Sequence, residues 1–159
     1  MHSDAMNVTI RHFPEWNAYL LVPFSMLPVS VQEIEKATNG CGREGIENLL
    51  VPDTIWGLQV TPVCRVHDWM YEIANAAAEK HRDQARLTRE EAFADGVFAC
   101  NLVWFIREHT KGWFLRWLRL RRAYKYVDAL TMTDVLRCLP LEVAIQIGEQ
   151  PSASETRIC

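Results

Sequence analysis

The alternation of apolar and polar residues predicts a small β-hairpin near the start of the chain. Val8 and Ile10 fit one strand and residues 19–22 fit a second, with residues 12–17 turning between them. Further along, Ser30 is followed three residues later by Glu33, which is the spacing of a helix-capping box. A short helix is therefore predicted over residues 30–37.

Apolar residues at steps of three and four predict that most of the remaining chain is helical. Pro62 suits the first turn of a helix that we expect to end near Arg82. The sequence Thr88-Arg-Glu-Glu91 fits a second capping box and predicts a helix from about residue 88 to 108. A third helix is predicted from about 113 to 130. A fourth, from about 133 to 147, would be bent or split by Pro140, and a frayed tail would follow. The apolar stripe predicted for the first of these helices consists of Val63, Val66, Met70, Ile73 and Ala77.

The fold class predicted from this pattern is mainly α, with one domain over residues 1–159. Two antiparallel core helices would follow a long irregular loop, residues 38–62, and a C-terminal helical extension would cover residues 107–148. A loop of this length in a compact domain is usually functional or disordered, and its cluster of glycines favours function. Glycine permits backbone shapes that place several carbonyls around one point. The glycines concerned are Gly40, Gly42 and Gly45.

Composition allows a globular domain, since 49% of the residues are hydrophobic and 23% are charged. Five cysteines at wide spacings do not make a full disulfide framework, so the redox compartment stays open. The net charge of −3 does not by itself indicate any class of partner. Residues 107–125, however, hold seven Lys or Arg against one acid. Such asymmetry can mark a surface for an anionic partner.

The candidate chemistry centres on His67. An imidazole can take up a proton near neutral pH, and as a general base it needs an orienting partner on its far nitrogen. Asp95 on the next predicted helix can provide that partner. Asp68 would face elsewhere, because adjacent helical positions differ by about 100°. A carboxylate combined with loop carbonyls is an all-oxygen site, which suits calcium better than zinc.

The combined motifs resemble the phospholipase A2 superfamily, in which a glycine-rich calcium loop precedes a helix bearing Cys-x-x-His-Asp-x-x-Tyr. The loop here is Gly40-Cys-Gly-Arg-Glu-Gly45, and the helix motif runs from Cys64 through His67-Asp68 to Tyr71. The chain looks closer to short bacterial and bacteriophage relatives of that superfamily, in which a second element of the form Ala-Asp-x-x-Phe follows; here it is Ala94-Asp-Gly-Val-Phe98. The resemblance covers roughly residues 38–106.

The resemblance implies a role for each matching residue. His67 would activate a water, Asp95 would hold its tautomer, and Tyr71 would hydrogen-bond Asp95. Asp68 would bind Ca²⁺, which would polarise the ester and stabilise the oxyanion. Cys41 and Cys64 would form a disulfide that ties the loop to the helix, although two free thiols are the alternative. The remaining calcium ligands would be backbone carbonyls near Gly40, Gly42 and Glu44 or Gly45.

Two departures from the family pattern affect these expectations. Arg43 and Glu44 both separate Gly42 from Gly45, so the loop is one residue longer than Cys-Gly-x-Gly. Val63 stands where the family has a further cysteine, and the other family bridges are missing, which leaves Cys100 as a candidate unpaired thiol.

The basic and aromatic stretch from Trp104 to Tyr126 has two interpretations. Its aromatic residues, including Trp104, Phe105 and Phe114, are more often core than surface, and its arginines can be an ordinary solvated helix face. The same composition suits an anionic membrane, whereas no nucleic-acid motif accompanies it. The interfacial candidates are Trp113, Arg116, Trp117 and Arg121.

The sequence thus predicts a calcium-dependent hydrolase of the sn-2 ester of glycerophospholipids, a membrane-damaging bacterial or phage protein of the toxin or effector kind. The alternatives are a catalytically weak membrane-binding or assembly module with the same fold, and a metal-dependent hydrolase of another ester. No convincing signal peptide is found, so export, injection and virion association all stay open. The sequence does not determine the oligomeric state.

Overall fold

Within the residues that the computed structural model describes, which are 7–38, 53–82 and 84–130, four helices and two small antiparallel hairpins make up most of the chain. The predicted mainly helical fold with an N-terminal hairpin is therefore confirmed. Residues 39–52 and 131–159, which include the predicted glycine loop, the predicted fourth helix and the tail, lie outside this description.

The N-terminal hairpin pairs β1 (Val8–Phe13) with β2 (Ala18–Pro23), in register from Val8 opposite Pro23 to Phe13 opposite Ala18. A short 3-10 turn, Pro14–Trp16, joins the strands, and Asn17 closes it with a left-handed backbone (φ 48°). The prediction placed residues 12 and 13 in the turn, but both belong to β1. Phe13 extends the strand because its side chain is fully buried in the core.

Helix α1 (Val31–Ala37) begins as its capping box predicts. The Ser30 hydroxyl accepts a hydrogen bond from the Glu33 backbone N–H, and the Ser30 backbone N–H donates to the Glu33 carboxylate at 2.9 Å. Val31 and Ile34 are the buried residues of this helix. The helix therefore combines a satisfied first turn with one apolar edge.

The prediction of an irregular loop as far as residue 62 is wrong for its last part. Residues 54–59 form a second hairpin, β3 (Thr54–Ile55) with β4 (Leu58–Gln59). Trp56 and Gly57 make its turn, both with positive φ, 49° and 74°. Ile55 is buried, and this burial anchors the hairpin on the core.

Helix α2 (Thr61–His81) begins with Pro62 in its first turn, as predicted. The predicted apolar stripe is right for Val63, Val66 and Met70, which are buried. It is wrong further along, where Ile73 and Ala77 are only half-buried. Ala74 and Ala78 are buried in their place, because the α-helical repeat of about 3.6 residues rotates the packed face over five turns.

Helix α3 (Gln84–His109) starts four residues before the predicted capping box. Thr88 and Glu91 consequently lie inside the helix and do not cap it. Arg82 ends α2 with a left-handed backbone (φ 51°), and α3, which begins at Gln84, packs along α2. Packing against α2 supports the first turns of α3, and so does an ion pair of Arg86 Nε with the buried Glu90 at 2.7 Å.

Helix α4 (Trp113–Leu130) has the predicted bounds and packs against α3. Gly112 precedes it with φ 93°, a conformation that side chains disfavour, and this allows the sharp change of direction after α3. One apolar cluster includes buried residues from both hairpins and from all four helices. The pair α2–α3 forms its centre, and β2 covers α3 on one side.

Candidate active site

Helices α2 and α3 bring three of the predicted site residues into direct contact. His67 Nε2 lies 2.8 Å from Asp95 Oδ1, and the Tyr71 hydroxyl donates to the same oxygen at 2.9 Å. His67 and Tyr71 are four residues apart and so share one face of α2. Because α3 packs along α2, that face meets the middle of α3, where Asp95 lies.

The contact with Asp95 assigns separate tasks to the two imidazole nitrogens. A carboxylate only accepts hydrogen bonds, so Nε2 carries the proton in this pair. In the neutral ring the other nitrogen, Nδ1, then holds the basic lone pair. The arrangement therefore orients His67 as a base that acts through Nδ1.

Two aromatic rings pack close to the His67 imidazole. The Tyr71 ring lies 4.5 Å from it and the Phe98 ring 5.0 Å, measured between centroids. The side chains of His67 and Asp95 keep 16% and 11% of their exposure. The pair is thus mostly removed from water, although each side chain keeps a small exposed part.

Burial raises the pKa of Tyr71 well above its usual value, and the negative charge of Asp95 raises it further. Both effects disfavour the phenolate. Tyr71 therefore stays a neutral hydrogen-bond donor to Asp95 at physiological pH. It occupies one lone pair of Oδ1 and fixes the direction of the carboxylate.

Asp68, the predicted calcium ligand, is half-buried on α2. Within the described residues, no group of three His, Cys, Asp or Glu side chains is placed to hold a metal ion. The other predicted ligands lie outside those residues, so the ligand set stays a prediction; they are Gly40, Gly42, Glu44 and Gly45.

The cysteines of the described chain divide into two kinds. Cys64 is disulfide-bonded, whereas Cys100 is a free thiol. Cys41 lies outside the described residues, so its pairing with Cys64 stays a prediction. Burial raises the pKa of Cys100 to about 11, which keeps this thiol protonated and unreactive near neutral pH.

The predicted interfacial residues all lie on exposed parts of α4. Trp113 is 81% exposed and Trp117 49%, so of the two interpretations the core one is wrong for them and for Phe114. It is right for Phe105, which is buried, while Trp104 is half-buried. None of the described helices has both the length and the apolar character to span a bilayer.

The structural roles of four residues were not predicted from the sequence. Phe98 was noted only as part of a motif, although it packs on His67. Buried Arg119 and the exposed turn residue Trp56 are joined by a hydrogen bond of 2.8 Å. Asn101 is fully buried and binds β2. A polar residue within an apolar stripe was the available signal for Asn101 and Arg119.

Comparison of this chain with protein-family models, with curated proteins and with solved structures finds no match.

Proposed function

We propose that this protein hydrolyses the sn-2 ester of glycerophospholipids in a calcium-dependent reaction, using His67 as the general base. The observation that supports the proposal is the contact of His67 Nε2 with Asp95 at 2.8 Å, held by Tyr71 from the other side. An oriented imidazole with a carboxylate behind it is the usual arrangement of an activated base. The sequence motif around it resembles that of the phospholipase A2 superfamily.

In the proposed reaction, Nδ1 of His67 accepts a proton from a water molecule while the water oxygen bonds to the ester carbonyl carbon. Asp95 stabilises the imidazolium that forms, since its carboxylate lies on the opposite nitrogen. The ester C–O bond then breaks, and the proton on Nδ1 passes to the leaving glycerol oxygen. The products are a free fatty acid and a lysophospholipid.

Asp68 is the described residue that would hold the calcium ion. Its carboxylate offers the oxygen donors that calcium prefers, and it follows His67 directly in the chain. Bound calcium would polarise the ester carbonyl and stabilise the negative charge that develops on its oxygen. The backbone carbonyls of the glycine loop would supply further ligands.

The test is release of fatty acid from phospholipid vesicles, measured with calcium and with chelator. We expect activity only with calcium, and a loss of about 10²–10⁴-fold in His67→Ala, which removes the base. Asp95→Asn should lose activity by a similar order, because the amide cannot stabilise the imidazolium. His81→Ala, which removes an exposed imidazole from the same helix, and Glu108→Gln, which removes an exposed acid from α3, are the matched controls.

Hydrolysis by His67→Ala at the parent rate would refute the proposal, provided that circular dichroism shows the variant to be folded. Calorimetric titration with calcium separates the metal from the base. Binding should be lost in Asp68→Asn and kept in His67→Ala. Calcium and vesicle binding without fatty-acid release in the parent protein would instead support the alternative of a module without turnover.

A further inference from the structure

One face of α4 carries an exposed group of aromatic and basic side chains. Trp113, Phe114, Trp117 and Tyr124 are 81%, 56%, 49% and 49% exposed. The residues that α4 buries lie on its opposite side and are Arg119, Ala123, Tyr126 and Val127. Arg121 and Lys125 are exposed among the aromatic residues, and we call this set the aromatic–basic face: Trp113, Phe114, Trp117, Arg121, Tyr124 and Lys125.

Neighbouring side chains of this face contact one another. The Phe114 ring lies 6.1 Å from that of Trp117 and 5.8 Å from that of Trp113. The Arg121 guanidinium lies 5.5 Å from the centre of the Trp117 ring. Exposed apolar area concentrated in this way usually marks an interaction site.

Two other exposed basic residues of α4 form hydrogen bonds with neighbouring groups of the protein. Arg116 donates to the Thr110 carbonyl at 2.9 Å, and Arg122 bonds the Tyr126 hydroxyl. Arg116 was an interfacial candidate from the sequence, but its guanidinium hydrogen-bonds to the segment that precedes α4. The charges directed outward among the aromatic rings are those of Arg121 and Lys125.

Trp56 adds a further exposed indole beside α4. It is 60% exposed at the β3–β4 turn, with φ 49°, a backbone region that costs a bulky residue energy. Buried Arg119 of α4 donates to its carbonyl at 2.8 Å and to Thr110 Oγ1 at 2.9 Å, which fixes the turn against the helix. A strained turn that presents tryptophan to solvent indicates function, since asparagine or glycine would form the same turn with less strain.

The chemistry of these side chains favours the surface of an anionic bilayer as the partner. Indole and phenol rings are amphipathic and settle at the boundary between headgroups and acyl chains, while Lys and Arg pair with anionic headgroups. The rings lie along three turns of a single helix, as they do in helices that lie flat on membranes. The surrounding segment, residues 107–125, has seven basic residues and one acid, which attracts a negative surface.

We propose that the aromatic–basic face of α4, together with Trp56, docks this protein on anionic phospholipid membranes. The docking is separate from the proposed hydrolysis, since it uses none of the residues around His67 and needs no turnover. Arg119 is a positioning residue that keeps Trp56 next to α4.

The experiment is sedimentation of the full chain with vesicles of phosphatidylglycerol and phosphatidylcholine in equal parts, in chelator so that hydrolysis plays no part. The parent should bind these vesicles, and bind vesicles of phosphatidylcholine alone more weakly. Trp113→Ser with Trp117→Ser should weaken binding at least about tenfold, from the lost apolar contact. Phe24→Ser, which removes an exposed ring elsewhere, is the control for the aromatic residues.

Charge is tested with two variants of equal net charge. Arg121→Gln with Lys125→Gln should weaken binding by about fivefold for each charge removed. Lys80→Gln with Arg89→Gln, which removes two exposed charges from α2 and α3, should change it far less. Trp56→Asn should bind vesicles less tightly while unfolding at an equal or higher temperature, because asparagine tolerates the left-handed turn.

Several results would overturn the proposal. Equal weakening by the two charge variants would mean that only net charge matters. Undiminished binding by the Trp113–Trp117 variant would exclude the face. Binding to a single-stranded oligonucleotide in preference to vesicles, or a dimer that the Trp113–Trp117 variant abolishes, would assign the face to nucleic acid or to a second copy of the chain. Failure of fatty-acid release alone would leave the docking proposal standing.

Discussion

Tyr71 illustrates how a single residue can link the candidate site to stability. Its hydroxyl donates to Asp95, and its ring packs on His67. Burial and the charge of Asp95 raise its pKa above the ordinary 10.0. Because the folded protein resists the phenolate while the unfolded chain does not, this residue contributes stability below about pH 10 and loses it as the pH rises further.

We therefore expect the unfolding free energy of Tyr71→Phe to fall less steeply than that of the parent as the pH rises above about 10. Above about pH 10, Tyr71 should account for up to about 1.4 kcal/mol of lost unfolding free energy per pH unit. The measurement is denaturant unfolding of parent and variant between pH 8 and about pH 11. Tyr124→Phe, which alters an exposed tyrosine, is the control. Parallel curves for the parent and Tyr71→Phe would contradict the assignment.

Between elements, the side-chain amide of Asn101 joins the N-terminal hairpin to α3. Asn101 is fully buried, its Oδ1 accepts from the Leu21 backbone N–H at 2.7 Å, and its Nδ2 donates to the Leu21 carbonyl at 2.8 Å. The side chain thus pairs with β2 as a neighbouring strand would. The Asn101 amide thereby provides hydrogen-bond partners for the backbone N–H and the backbone carbonyl of Leu21.

Replacing Asn101 should therefore loosen the hairpin from the helices. Asn101→Leu leaves two buried backbone groups without partners, which should lower the unfolding free energy by about 2–6 kcal/mol. Chemical denaturation measures the loss, and amide exchange should show it concentrated in β1 and β2. Asn75→Leu, at an exposed position of α2, should stay within about 0.5 kcal/mol of the parent. A loss below about 1 kcal/mol in Asn101→Leu would show that the pair of bonds is dispensable.

For the whole molecule, the disulfide of Cys64 is the covalent constraint on α2. Cross-links stabilise mainly by restricting the unfolded chain, so Cys64→Ala should lower the unfolding free energy by about 2–4 kcal/mol under oxidising conditions. Reductant should lower the stability of the parent by a comparable amount. Cys100→Ala, which removes the free thiol, should keep the response to reductant. Equal denaturation midpoints for oxidised parent and Cys64→Ala would argue against a stabilising bridge.

The elements that could be predicted from the sequence are those with short-range signals. Ser30 and Glu33 mark the start of α1 because both hydrogen bonds of the capping box lie within one turn. Pro62 marks the first turn of α2 in the same way. Thr88 failed as a start signal, because the reversal at Arg82 and packing on α2 begin α3 earlier than any local cap.

By itself, the sequence determined that His67 and Tyr71 could share a helix face, and it offered Asp95 on the next helix as the partner of His67. The hydrogen bond from Tyr71 to Asp95 was implied by the family resemblance. Spacing of three or four residues is a property of the helix and needs no tertiary contact. Only the tertiary structure decided which faces are buried, since burial depends on what packs there. Tertiary packing leaves Trp113 and Trp117 exposed and buries Arg119 and Asn101. It also places Trp56 in a strained turn against α4.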